Sequence, residues 1–179
     1  MWPPSTICAR CWVSSPSHAL HVTFVCSGNI CRSPMAEKMF AHQLEERGLA
    51  GAVRVSSAGT GGWHAGDPAD RRAVHVLREH GYPSGHEAAQ LDDDHLAADL
   101  VVALGRNHVR MLVDLGVPSD RVRMLRSFDP TSGAHALDVE DPYYGTQDDF
   151  EDVFTVIASA LPGLHDWVDE QLALRGVPG

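Results

Sequence analysis

Lysine is almost missing from this chain, and cysteine is missing after residue 31. One Lys (Lys38) stands against 13 Arg, and the formal net charge is −10. That balance argues against nucleic acid as a partner, because such surfaces neutralise phosphates with dense basic side chains. A small anion could bind only where local geometry overrides the overall field. No apolar run approaches the ~20 residues that span a bilayer, so no membrane-crossing helix and no membrane partner are expected. The opening MWPPSTICARCWVSSPSHAL lacks both a basic start and a continuous apolar core. It is therefore not a conventional signal peptide, which points to a cytoplasmic protein. Cys8, Cys11, Cys26 and Cys31 are the only cysteines. A disulfide-framed secreted domain would spread them along the chain, so a reducing compartment is expected.

What is present suits one soluble domain: 179 residues, 44% hydrophobic, give enough length and apolar content for a substantial core. Residues 1–20 show no helical or strand period and read as a poorly ordered extension, leaving 21–179 as a single domain. Cys8-Ala9-Arg10-Cys11 is a C-x-x-C with no second pair to complete a zinc site, and it reads as incidental. Residues 22–25 form a short apolar strand. A helix should open at Ser33-Pro34 with Pro34 in the first helical position, carry Met35, Ala36, Met39, Phe40 and Leu44 inward, and end at Gly48. A weaker strand covers 54–57. The next helix has Asp67 as expected N-cap with Pro68 and Asp70 following, an apolar face of Ala73, Val74, Val76 and Leu77, and Gly81 at its end. A short acidic helix at 91–98 precedes the apolar strand 100–104. Helix 107–115 should turn Met111, Leu112 and Leu115 inward, and 122–125 is the fourth strand. Residues 149–174 form a last helix with Phe150, Val153, Phe154, Ile157, Leu161, Leu164 and Trp167 at three- and four-residue steps, and Pro162 predicts a kink. Apolar strands alternating with helices imply an α/β fold: a three-layer, open, parallel four-stranded sheet with helices on both faces. Ligands of such folds bind at the C-terminal ends of the strands.

One such end carries VTFVCSGNICRS, residues 22–33. The loop from Cys26 to Arg32 joins the first strand to the first helix. Gly28 and Asn29 are the residue types that best accept positive φ, so the loop can turn successive N–H groups inward as an anion-binding nest. The helix start adds unpaired N–H groups and the positive end of its dipole. Arg32 supplies a planar fork for two oxyanion atoms. A thiol at the centre of such a cradle gives up its proton readily, which makes Cys26 a candidate nucleophile toward a bound phosphate. Ser33 is placed to donate a hydrogen bond to the sulfur.

Val25 through Glu37, VCSGNICRSPMAE, resembles the signature of the low-molecular-weight protein tyrosine phosphatases, closest to bacterial PtpA-type members. The resemblance runs from His21 to the end of the chain. It implies hydrolysis of phosphotyrosine through a phosphocysteine intermediate, with neither metal nor other cofactor, on phosphotyrosine-containing proteins. By that resemblance Cys26 matches the nucleophile, and Arg32 with the backbone of Ser27, Gly28, Asn29, Ile30 and Cys31 matches the phosphate loop. Asn29 and Ser33 match residues that hold the loop and assist the thiolate, and Ser57 and His86 match residues that buttress it. Asp141 resembles the general acid, later base. Of the three Asp-Pro pairs it alone is followed by aromatics, Tyr143 and Tyr144, which with Trp63 are the candidate walls of a phenyl-ring pocket. Tyr143 and Tyr144 also match positions that tyrosine kinases phosphorylate in some members, and Cys31 matches a thiol that protects an oxidised nucleophile as a disulfide. The family also leaves open export without a conventional signal peptide. Gly105 departs from the pattern, standing where an acidic residue is expected.

Two rival readings face specific difficulties. An arsenate reductase of the same fold relays a disulfide through downstream cysteines, and none follows Cys31. A non-catalytic phosphotyrosine-binding module needs neither a nucleophile nor an acid, yet Cys26, Arg32 and Asp141 are all present.

Overall fold

The computed structural model describes residues 18–133 and 136–177. Cys8, Cys11 and most of the expected N-terminal extension lie outside the described residues. Four parallel strands, β1 (Leu20–Cys26), β2 (Val53–Gly59), β3 (Leu100–Ala103) and β4 (Val122–Met124), form one sheet in the order β2-β1-β3-β4. The helices are α1 (Arg32–Glu46), α2 (Arg71–Glu79), α3 (Asp93–Leu96), α4 (Arg106–Asp114) and α5 (Gln147–Leu174). The expected three-layer α/β architecture is what forms.

The central strands are apolar throughout because both of their faces are covered. Val22, Phe24 and Cys26 of β1, with Leu100 and Val102 of β3, face the core under α1, α2 and α5. Val25, Val101 and Ala103 point the other way, onto Leu112 of α4. Phe24 and Phe40 meet edge to face at 5.9 Å between ring centres. Thr23, fully buried on β1, accepts a hydrogen bond from Ser56 Oγ at 3.0 Å and so leaves no orphan polar atom in the sheet.

Element boundaries depart from the sequence expectations in ways that bear on the site. β1 begins at Leu20, inside the segment read as extension, and runs to Cys26. α1 opens at Arg32 with Cys31 as N-cap, so Pro34 takes the third helical position rather than the first. No intrahelical bond is lost, since the first four N–H groups of a helix are unpaired anyway. Asp70, not Asp67, caps α2: its side chain accepts from Arg72 N–H at 2.9 Å, and its own N–H donates to Ile30 O at 2.8 Å. That bond ties the start of α2 to the loop after β1. Asp67 instead faces His64 Nδ1 at 3.0 Å. On α4 the inward positions are His108 and Leu112, while Met111 and Leu115 are 42% and 56% exposed. A histidine in a core position shifted the apparent apolar stripe. Leu125, expected as strand, belongs to a short 3₁₀ turn. α5 begins at Gln147 behind a capping box of Thr146 and Asp149 and continues through Pro162. No helix of the described residues is long and apolar enough to cross a membrane.

Candidate active site

Cys26 ends β1 in register with Gly59 of β2, and Leu104 N–H, just past β3, donates to Val25 O at 3.0 Å. The strand therefore delivers the sulfur to the C-terminal edge of the sheet. The sulfur is 3.3 Å from the N–H of Asn29 and 2.9 Å from Ser33 Oγ. Both polar contacts converge on the one sulfur.

Asn29 organises the loop. It is fully buried with φ of +55°, the single non-glycine residue with positive φ among the described residues. Its Nδ2 donates to Ser33 Oγ at 2.8 Å and to Ser57 Oγ at 2.9 Å, while Oδ1 accepts from Ala89 N–H at 2.8 Å. Because Asn29 already donates to Ser33, the Ser33 hydroxyl proton is free to point at Cys26. His86 Nε2 donates to the Asn29 carbonyl at 2.8 Å, and burial holds the His86 imidazolium below its ordinary range. Ser57 donates onward to Glu37, whose carboxylate also stands 3.7 Å from His86 Nδ1. Ser57 and His86 thus sit behind the loop, and Glu37, inside the quoted signature but given no role, completes their network.

Gly28 does not need the positive φ expected of it. What it provides is space: a β-carbon there would come within 3.0 Å of the His64 ring. Asn29 faces away from the cavity in front of the loop, which is lined by Cys26, Ser27, Gly28, Ile30, Cys31 and Arg32 together with Trp63, His64, Asp141, Tyr143 and Tyr144. The cavity measures about 440 Å³. Trp63 is 70% exposed and Tyr144 96%, so these aromatics are rim rather than core. His64, which the sequence reading did not single out, fills the wall between them, its ring 6.4 Å from Trp63 and 6.2 Å from Tyr143.

Arg32 is buried to 7% exposure, and Asp141, from the loop before α5, reaches it. Arg32 Nη2 pairs with Asp141 Oδ2 at 2.8 Å, and Nη1 donates to Val139 O at 3.1 Å. Arg72 clamps the far side of this loop through Tyr143 O at 2.9 Å and Gly145 O at 2.8 Å. Asp129, the other loop Asp-Pro pair, closes a local turn by accepting from Thr131 and Ser132.

Cys31 differs sharply from Cys26. Burial, then the charges of Asp70 and Cys26, push its thiol up to about 12, so it stays protonated at neutral pH. His108, another residue not anticipated, places Nε2 3.0 Å from Ser27 Oγ. It is held down to about 4 by burial and by the Arg32 charge. At Gly105 the missing acid is answered from elsewhere: Asp138 Oδ1 accepts from Arg106 N–H at 2.6 Å at the start of α4.

The family model described as low molecular weight phosphotyrosine protein phosphatase matches residues 21–174. The chain belongs to that family. Low molecular weight protein-tyrosine phosphatase A of Mycobacterium bovis is 72% identical over 160 residues, covering 89% of this chain and 98% of that protein. The Streptomyces coelicolor low molecular weight protein-tyrosine-phosphatase is 48% identical, covering 86% and 96%. Among solved structures, YfkJ from Bacillus subtilis superposes with a TM-score of 0.79 at 31% identity, covering 87% of this chain and 98% of its own.

Proposed function

We propose that the chain hydrolyses phosphotyrosine in proteins through a covalent phosphocysteine, with Cys26 as nucleophile, Arg32 and the loop backbone as phosphate ligands, and Asp141 as acid and then base. The observation that carries this reading is the meeting of Cys26, Arg32 and Asp141 on one aromatic-rimmed cavity, with two hydrogen-bond donors aimed at the sulfur.

Each step follows from that placement. A substrate phosphate takes Arg32 Nη2 from Asp141 and binds the N–H groups of the loop, and the freed Asp141 carboxylate picks up a proton from solvent. The Cys26 thiolate attacks phosphorus, and the bond from phosphorus to the phenolic oxygen breaks as Asp141 gives its proton to that oxygen. Water then attacks the phosphocysteine; Asp141 takes the water's proton, the S–P bond breaks, and Ser33 O–H with Asn29 N–H receive the returning thiolate. Trp63, His64, Tyr143 and Tyr144 supply ring faces for the phenyl group. Tyr144, at 96% exposure, is also open to a tyrosine kinase, and Tyr143 at 39% less so. Cys31 would capture an oxidised Cys26 only slowly, because a protonated thiol is a weak nucleophile.

The test is turnover of an aryl phosphate by purified Cys26→Ser protein. We expect hydrolysis to vanish while inorganic phosphate still binds. Activity near the unaltered level in that variant would overturn the mechanism.

A further inference from the structure

His108 is fully buried on α4, yet half of its ring goes unused. Nε2 meets Ser27 Oγ at 3.0 Å, while Nδ1 has no hydrogen-bond partner among the described residues. The space beside Nδ1 is the one left by Gly105. A β-carbon there would stand 3.4 Å from His108 Nδ1, 3.2 Å from Asp138 Oδ1 and 2.8 Å from Asn107 Oδ1. Gly105 has an ordinary extended backbone, φ −163°, so the position supplies room rather than an unusual conformation. Asp138 uses that room to cap α4.

A neutral imidazole carries one N–H, on either nitrogen. On Nδ1 that proton would be a buried donor with no acceptor, the rarest unsatisfied state in native proteins and a costly one. On Nε2 it has a partner in Ser27 Oγ. The neutral form is the relevant one, since burial and Arg32 keep the ring uncharged at working pH. A hydroxyl that accepts from His108 keeps its own proton free, and Ser27 lines the cavity in front of the phosphate loop.

We propose that His108 is a positioning residue for phosphate: its Nε2–H fixes Ser27 Oγ so that the Ser27 hydroxyl donates to an oxygen of the bound phosphate. The inference rests on reading the loop as the phosphate cradle, and it adds a side-chain ligand and the residue that aims it. Without the His108 donor, the Ser27 hydroxyl rotates freely or spends its proton on the ring.

A double-mutant cycle tests it, with two readouts: the affinity for inorganic phosphate by calorimetry, and KM and kcat for an aryl phosphate. Ser27→Ala and His108→Leu should each weaken phosphate about tenfold, as expected for one charge-assisted hydrogen bond. The double variant should be no weaker than either single one. KM should follow phosphate affinity more closely than kcat does. His108→Gln, which keeps an amide N–H at similar reach, should stay within about threefold of the unaltered protein. Losses that multiply to about a hundredfold in the double variant would overturn the proposal, as would a well-folded His108→Gln that binds phosphate as poorly as His108→Leu. If His108→Leu does not fold, the deciding comparison is His108→Gln with and without Ser27→Ala: any loss it causes must vanish once Ser27 is gone. Phosphate affinity is read without turnover. A chain that binds phosphate but hydrolyses nothing therefore overturns the proposed function alone, and unchanged affinity in Ser27→Ala overturns this inference alone.

Discussion

Replacing Asn29 by Ala should damage this protein more than any change at an exposed rim residue. The side chain makes three hydrogen bonds, to Ser33, to Ser57 and from Ala89 N–H. At about 1 kcal/mol net for each, their loss costs roughly 3 kcal/mol. The backbone at φ +55° adds about 1 kcal/mol more, because Ala tolerates the left-handed region poorly. Together these predict a fall in Tm on the order of 8–16 °C for a domain of this size, at about 2–4 °C per kcal/mol. Asn29→Gly removes the same three bonds but relieves the backbone, so it should melt a few degrees above the Ala variant. Both should lose at least about a hundredfold in kcat/KM, since the loop that aims Cys26 and Arg32 no longer has a fixed shape. Differential scanning calorimetry of the three proteins, with and without phosphate, reads the stability terms directly. An Ala variant that melts within two degrees of the unaltered protein, or a Gly variant that melts below the Ala variant, would refute the reasoning.

Asp141→Ala should lower kcat toward phenyl phosphate by about 10²–10⁴-fold, the usual worth of a general acid, and by much less toward p-nitrophenyl phosphate, whose leaving group needs little protonation; equal losses on both would remove Asp141 from that role. His108, fully buried and held at about 4 against an ordinary 6.5, contributes stability that is complete above about pH 6.5 and is lost as pH falls toward 4. The unfolded chain binds the proton first, so roughly 3 kcal/mol disappears across that window, and His108→Gln should show a shallower decline in denaturation midpoints between pH 7 and 4. Peroxide should inactivate the enzyme by oxidising Cys26. With the Cys31 thiol up at about 12, capture as a disulfide should quicken about tenfold per pH unit between 7 and 9. Cys31→Ser should then recover less activity on reduction, most visibly at pH 9; equal recovery at both pH values would leave Cys31 as loop packing.

Cys26, Arg32 and Asp141 stood out as candidates through local features, a strand end, a Gly-Asn loop, a helix start, and an Asp-Pro pair followed by tyrosines, and the fold brings the three to one cavity. The order of strands and helices was legible from apolar periodicity for the same reason. What the sequence hid is decided over long distances. Asp67 and Asp70 are both good caps by type, and the choice falls to Asp70 because its N–H reaches Ile30 O, a contact that no local pattern records. His108 meets Ser27 across 81 residues, and with eleven histidines in the chain composition could not select it. Its polar ring in a core position also displaced the expected inward face of α4 onto Met111 and Leu115. Glu37 lay in plain view inside the signature, but its role depends on Ser57 and His86 folding up behind it.

The pairing of Arg32 with Asp141 has a consequence for what can enter. The carboxylate is tethered beside the guanidinium, so its effective concentration there exceeds that of any free anion at ordinary levels. Monovalent anions and free carboxylates must compete with a resident of the same charge. A phosphate dianion brings twice the charge and several oxygens that Asp141 cannot match, and it displaces the tether where chloride or acetate does not. The resting site is thereby a filter on valence, and inhibitors built around a single carboxylate should bind it poorly.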